Sequence, residues 1–321
     1  MSRAARTRIP SELKRLATES GNAASAGLDD KPAIEIARII NAEDARVAGA
    51  VKNALPQIAT AIDWIAEALR SGGRLIYVGA GTSGRIAALD AAECPPTFNT
   101  NPKQVQFVIA GGTRALGGAV EANEDSSALG RREMAKKRVG KKDVVVGIAA
   151  SGRTPFTMAA IEYAHERGAK TVAVVCNAGS ALEEAADLAI VCEVGAEVVA
   201  GSTRMKAGTA QKMVLNLLST GAMTRLGYVY GNLMVNVHLK NKKLVERGVG
   251  ILEQAAGVDR EMARRALGKA GHQVPVALVM LKTGVGRKEA EGRLKGAQGH
   301  VRQAIEGAES ANTSGTALKN I

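Results

Sequence analysis

Between residues 32 and 71 the chain reads "KPAIEIARIINAEDARVAGAVKNALPQIATAIDWIAEALR", with apolar positions at helical spacing. This spacing predicts helices over 32–53 and 56–71. The pattern then changes. "RLIYVGAG" (74–81), "VQFVIAGG" (105–112), "DVVVGIAAS" (143–151), "TVAVVCN" (171–177) and "LAIVCEVG" (188–195) are short β-branched runs, most of them ending in small residues. Helical stretches lie around 84–92, 117–137, 155–167 and 180–186. Repeated strand–helix alternation predicts an α/β fold, a parallel sheet with helices on both faces. In such sheets ligands sit beyond the carboxyl ends of the strands.

Residues 205–247 read as two long helices, and beyond 255 short helical pieces alternate with Gly-rich breaks. There Asp259 is a plausible N-cap, and Pro275 is placed early in a helix. The expected organisation is a polar, loosely ordered segment over 1–30, an α/β domain with flanking helices over 31–250, a small all-helical domain over 251–308 and a tail over 309–321. No repeat of solenoid length is visible.

Composition sharpens this picture in three ways. Only 2% of the 321 residues are aromatic, so the core must be built from Ala, Val, Ile, Leu and Met. The net charge of +12 is compatible with anionic partners. Cys94, Cys176 and Cys192 form neither a CxxC pair nor an even framework, which fits a reducing compartment, and Cys94 reads as a buried or turn thiol. The basic start "MSRAARTRIPSELKRLATES" lacks the apolar segment of a signal peptide or anchor, and no apolar run reaches membrane-spanning length. The expectation is a soluble, cytoplasmic protein.

Three stretches combine Ser, Thr and Gly. "GAGTSGR" (79–85) and "ASGRTPF" (150–156) follow a strand and open a helix, and "GSTRMKAGTAQK" (201–212) opens a long helix. A helix start offers unpaired N–H groups and a partial positive charge, and glycine admits an oxyanion close to the backbone. One such stretch is usually only a cap, whereas three in one α/β domain suggest a phosphate monoester held without metal. Neither GxxxxGK[ST] nor GxGxxG with its ribose-binding acid is present. Arg85, Arg153, Arg204 and Lys206 are available to add charge.

The triple pattern resembles the sugar isomerase (SIS) family of phosphosugar-binding domains. Within it, "GAGTSGRIAALDAAECPPTF", "AGG…AVEANED" (110–125), "VVVGIAASGRTPF" and "GSTRMKAGTAQKMVLNLLSTGAM" are similar to the N-acetylmuramic acid 6-phosphate etherase family, as are "NLMVNVHLKNKKLVER", "LATES" and "LPQIATAID". The likeness runs from about residue 15 to about 300. It implies an SIS-type, flavodoxin-like layering and cleavage of a D-lactyl ether to N-acetylglucosamine 6-phosphate and D-lactate, in cell-wall sugar recycling. It further implies a homodimer with no metal and no cofactor, acting on a small phosphosugar; neither a membrane nor nucleic acid is expected as a partner.

An ether is a poor leaving group, but an aldehyde at carbon 1 acidifies the carbon 2 proton. Elimination of lactate from carbon 3, followed by addition of water, needs a base and an acid, and two carboxylates in different environments suit the task. The resemblance places them at Glu93 and Glu124, with Glu124 as the carbon 2 base; the assignment of roles is softer than the pair. It makes Thr82, Ser83, Ser151, Gly152, Thr154, Ser202 and Thr203 substrate contacts, with the second loop favoured for the phosphate. Lys206 is a weaker candidate, because a lysine in the first turn opposes the helix dipole unless an anion offsets it. Pro95 is expected to end the helix abruptly and so fix Glu93 near a rigid turn. His238 is either a helix-surface residue or one that reaches a neighbouring subunit, and Glu121 and Asp125 read as surface charge.

The chain departs from the family pattern at "TESGNAASAGLDDKP", and its C-terminal helices are unusually basic. Three rivals share the loops: a non-catalytic phosphosugar-sensing regulator, a DNA-binding regulator with an SIS sensor, and an aldose–ketose isomerase. The first calls for a longer, duplicated chain. The second calls for an N-terminal helix-turn-helix, and no aromatic residue follows Tyr230 to stack on bases.

Overall fold

The computed structural model describes residues 17–118, 123–239 and 241–307. By contacts the chain divides into two compact units, one of residues up to 91 together with 103–218, the other of 92–102 together with 219 onward.

In the first unit, helices α1 (Ala33–Asp44), α2 (Val47–Asn53) and α3 (Leu55–Arg70) precede the sheet. Then β1 (Leu75–Gly79), α4 (Gly81–Phe98), β2 (Val105–Ile109), α5 (Ser127–Lys137), β3 (Val144–Ile148), α6 (Pro155–Glu166), β4 (Lys170–Val175), α7 (Ala181–Ala185), β5 (Leu188–Val191) and α8 (Lys206–Arg225) follow, the ends of α4 beyond residue 91 and of α8 beyond residue 218 belonging to the second unit. All five strands are parallel, in the order β2-β1-β3-β4-β5. Every residue of β1 and β3 is buried, as central strands covered on both faces require. Ile76, Val78 and Val145 pack with Met134 of α5 and with Phe156 and Ala160 of α6. The alternate residue Tyr77 turns the other way, and its hydroxyl donates to Asp90 of α4 at 2.8 Å.

The β-branched runs are thus the strands expected of them, and the α/β class holds. Three local expectations are corrected. Residues 17–30 are not loosely ordered: they form short 3-10 turns fastened by Ala17 N to Asn177 Oδ1 (3.1 Å), Asn22 Nδ2 to Ala196 O (3.0 Å) and Ser25 Oγ to Val198 O (2.7 Å). The helix expected from residue 117 starts at Ser127 with Ser126 as its cap, leaving Glu124 in a turn; residues 119–122, Glu121 among them, lie outside the described residues. Finally, Pro95 does not end α4, which continues through Pro95 and Pro96 to Phe98. Pro95 and Pro96 forgo the bonds to the carbonyls of Ala91 and Ala92, but the φ that each ring fixes is helical, so the chain keeps its helical course. The stop is Asn99, left-handed at φ 53°, whose N–H donates to Pro95 O.

The second unit also overturns an expectation. Only one long helix, α8, precedes residue 226; after it the chain turns at Gly227 and Gly231 into a hairpin, β6 (Val229–Tyr230) and β7 (Leu233–Met234). α9 (Lys242–Ala256) then runs across residue 250, followed by α10 (Arg260–Lys269), α11 (Val274–Thr283), α12 (Arg287–Gly296) and a helical stretch over 301–307. Asp259 caps α10 by accepting from Met262 N at 2.8 Å, and Pro275 occupies the first turn of α11. Val249, Leu252, Leu267, Val274, Leu278 and Val301 form this unit's core. Its basic surface is largely neutralised within itself: Arg260, Arg264, Arg265, Arg287, Arg293 and Arg302 each pair with a glutamate. Among the described residues no helix is long and apolar enough to cross a membrane.

Candidate functional site

With the order 2-1-3-4-5, chain connections diverge between β1 and β3, and a crevice opens at their carboxyl ends. The first two Ser/Thr/Gly loops leave those two strands. The first passes directly into α4, whose opening N–H groups have no intrahelical partner. Gly81 sits at φ +51°, and a Cβ there would stand 3.1 Å from Glu124 Oε1. The Glu124 carboxylate is therefore laid over the first residue of α4. Its backbone carbonyl accepts from Phe156 N at 3.0 Å, which ties the same residue to the start of α6 and the second loop.

In the second loop Gly152 is left-handed at φ +66°, and a Cβ would lie 2.3 Å from Ser180 Oγ, so only glycine fits. Ser151 Oγ accepts from Arg153 N at 3.3 Å, which leaves the hydroxyl proton to donate elsewhere. Thr154 occupies the N-cap of α6 without a side-chain capping bond, and Pro155 follows it. Beneath the loop, buried Asn177 donates to Ala150 O at 2.9 Å and to Thr18 Oγ1 at 3.3 Å, while Thr18 O accepts from Gly201 N at 3.0 Å. The N-terminal turn thus joins the second loop to the third.

The third loop meets the first. Ser83 Oγ donates to Gln211 Oε1 at 2.9 Å, and a Cβ on Gly208 would touch Thr82 and the carbonyl of Thr203 at 3.5 Å. Ser202 and Thr203 are half-buried in tight turns. Lys206 is 1% exposed, and its Nζ lies 2.5 Å from Glu43 Oε2. The offsetting anion that a lysine at a helix start demands comes from the protein itself. Buried Glu197 accepts from Lys206 N (3.0 Å) and Ala207 N (2.9 Å), capping α8, while Glu43 faces the ammonium. Lys206, with help from Asn22 and Arg46, holds the Glu43 carboxyl down at about 2. Arg85 is also engaged, donating to Ala115 O (2.9 Å) and Gly118 O (2.7 Å).

Within the first unit the structure therefore brings together Thr82, Ser83, Glu124, Ser151, Gly152, Thr154, Ser202, Thr203 and Lys206. Sequence reasoning missed Glu43, Glu197 and Gln211. Only Glu197, an acid shortly before a helix start, leaves a local trace.

Glu93 belongs to the second unit. It is exposed on the last turns of α4 and lines a cleft of about 470 Å³ together with residues of 95–102 and with Met234, His238, Leu244 and Arg247. Phe98 O, at the end of the helix, accepts from Asn236 Nδ2 at 2.8 Å. His238 lies in the irregular segment before α9 rather than on a helix. Cys94, Cys176 and Cys192 are buried and in no disulfide; burial raises the Cys176 thiol and pushes Cys192 up to about 11.

Residues 120–221 match the SIS domain model, and 57–165 match the model described as glucokinase regulatory protein N-terminal SIS domain. Fold and loops thus define an SIS-domain protein. A curated N-acetylmuramic acid 6-phosphate etherase of Klebsiella aerogenes is 49% identical over 92% of this chain and 98% of its own length. Proteins of the same description from Photorhabdus laumondii subsp. laumondii and Bacillus licheniformis are 50% and 47% identical, over 91% and 92% of this chain and 97% of each relative. The chain belongs to the N-acetylmuramic acid 6-phosphate etherase family. Likeness of this extent to enzymes does not favour the regulator alternative.

Proposed function

We propose that this chain cleaves the D-lactyl ether of N-acetylmuramic acid 6-phosphate, giving N-acetylglucosamine 6-phosphate and D-lactate in the recycling of cell-wall amino sugars. The observation that carries this reading is the convergence of three Ser/Thr/Gly loops at the β1–β3 crevice, with the Glu124 carboxylate laid over Gly81. The second loop, with Ser151, Gly152 and Thr154, takes the phosphate; Thr82, Ser83, Ser202 and Thr203 take the sugar. Lys206, held by Glu43, anchors the third loop from inside.

In the open-chain sugar Glu124 removes the proton on carbon 2, and the electron pair moves toward the carbon 1 aldehyde as an enolate. The enolate then expels the carbon 3 oxygen. Glu93 supplies the proton that this oxygen takes as it leaves in D-lactate. Glu93 next accepts a proton from water as its oxygen bonds to carbon 3, and the carbon 2 proton returns. One water is consumed, and both acids end as they began. The reading takes no metal or organic cofactor, a homodimer and a cytoplasmic setting.

The test is D-lactate release by the purified protein with EDTA present. Release by the wild type, reduced at least about 10²-fold by both Glu93→Gln and Glu124→Gln, supports the reading. Phosphosugar binding without lactate, or full turnover by either variant, refutes it.

A further inference from the structure

Two left-handed glycines of the site's loops lie against a carboxylate. A Cβ on Gly81 would stand 3.1 Å from Glu124 Oε1, and a Cβ on Gly201, at φ +77°, would stand 3.2 Å from Glu19 Oε2. Among the described glycines these are the two whose missing side chain faces an acid, and one belongs to the first loop and the other to the third. The two loops meet at the Ser83–Gln211 bond, and Glu19, Glu124 and both glycines belong to the first unit.

The residues around Glu19 set its place. It ends a short 3-10 turn, Ala17–Glu19. Ala17 N donates to Asn177 Oδ1 at 3.1 Å. Thr18, 0% exposed, accepts from Asn177 Nδ2 at 3.3 Å and from Gly201 N at 3.0 Å. Further on, Asn22 donates to Ala196 O at 3.0 Å. The turn is thus fastened beneath the second loop and beside the third, through its backbone, Thr18 and Asn22. None of these bonds calls for an acid at position 19, whose side chain is exposed at the third loop.

We infer that Glu19 is a further substrate-binding residue, a carboxylate that accepts from hydroxyl groups of the sugar where it passes the third loop. The inference rests on the etherase reading for the identity of the phosphosugar. A carboxylate at neutral pH only accepts hydrogen bonds, and its two oxygens can serve two donors. The sugar's hydroxyls are such donors, whereas its phosphate and lactyl carboxylate are anions that Glu19 repels. Glu19 therefore sets the direction in which the substrate lies, with the phosphate kept to the second loop and the hydroxyls facing the third. Because the turn is fastened beforehand, little backbone freedom is lost on binding.

The experiment is calorimetric binding of N-acetylglucosamine 6-phosphate and of inorganic phosphate to the wild type, Glu19→Gln and Glu19→Ala. This phosphosugar is the product of the proposed reaction, so no turnover intervenes. Glu19→Ala should weaken it about 10–100-fold, the size of a lost charge-assisted hydrogen bond. Glu19→Gln, which keeps one acceptor oxygen, should lose less. Inorganic phosphate should bind both variants as tightly as the wild type or more tightly, because a nearby negative charge is gone. Urea unfolding of the three proteins should coincide, since the side chain is exposed. Unchanged phosphosugar affinity in Glu19→Ala, or equal weakening of the phosphosugar and inorganic phosphate, overturns the assignment even if the wild type releases lactate. No lactate release by the wild type, with the Glu19-dependent binding difference intact, overturns the etherase reading and leaves the sugar contact standing.

Discussion

Replacing Glu43 by glutamine would leave the Lys206 ammonium, 1% exposed, without its counter-charge. Breaking a buried ion pair from one side costs about 3–5 kcal/mol, because the remaining charge must stay desolvated. The opposite deletion is milder. With Lys206→Met, Glu43 keeps Asn22 Nδ2 at 2.8 Å and Arg46 Nη1 at 3.0 Å, and Arg46 reaches solvent; the loss is then about 1–2 kcal/mol. The double variant should be more stable than the sum of the two, since neither charge is left alone. Urea denaturation of the four proteins at neutral pH gives the cycle, and thermal melts should show Glu43→Gln lower by roughly 6–15 °C. The effect is pH-dependent with a defined sign. Glu43 is held at about 2 in the folded chain against 4.5 normally, so its stabilisation is complete above pH 4.5 and fades as pH falls toward 2. The wild type's advantage over Glu43→Gln should shrink across that window. Equal losses for the two single variants, or strict additivity, would refute the reasoning.

Three further outcomes follow from the site's geometry. Gly152→Ala should raise KM for the phosphosugar at least about 10-fold with the fold retained, because the new Cβ would meet Ser180 Oγ at 2.3 Å in a left-handed turn; steady-state kinetics and circular dichroism check this. Ser83→Ala strands the buried Gln211 oxygen and should destabilise by about 1–3 kcal/mol in urea, beyond any effect on activity. The three buried thiols should resist a thiol reagent in the native protein and react together only on unfolding, as followed by timed labelling.

Much of this protein is legible locally. Runs such as "VVVGI" in β3 are buried on both faces, so their composition alone reveals strands. The Ser/Thr/Gly loops announce themselves because each must both turn the chain and expose donors. Asp259 caps α10 by a bond to a residue three positions on, which sequence spacing predicts. Where local rules compete, the reading fails. Pro95 read as a stop, but the φ its ring fixes is helical, and Asn99 sets the end. Residues 226–241 read as helix, but Gly227 and Gly231 turn the chain into a hairpin.

What the sequence determined by itself is the sheet, the three loops and, through their motifs, the pair of acids to test. What only the tertiary structure decided is which charges are spent internally. Lys206 lies 163 residues from Glu43, and no spacing rule connects them. Their pairing depends on α1 and α8 being brought together and closed off from water. The same holds for Glu124, which reaches Gly81 and Phe156 only because parallel strands bring residues far apart in sequence to one end of the sheet. Periodicity records how a segment faces its core, whereas partners across the core are set by the packing of segments that carry no trace of one another.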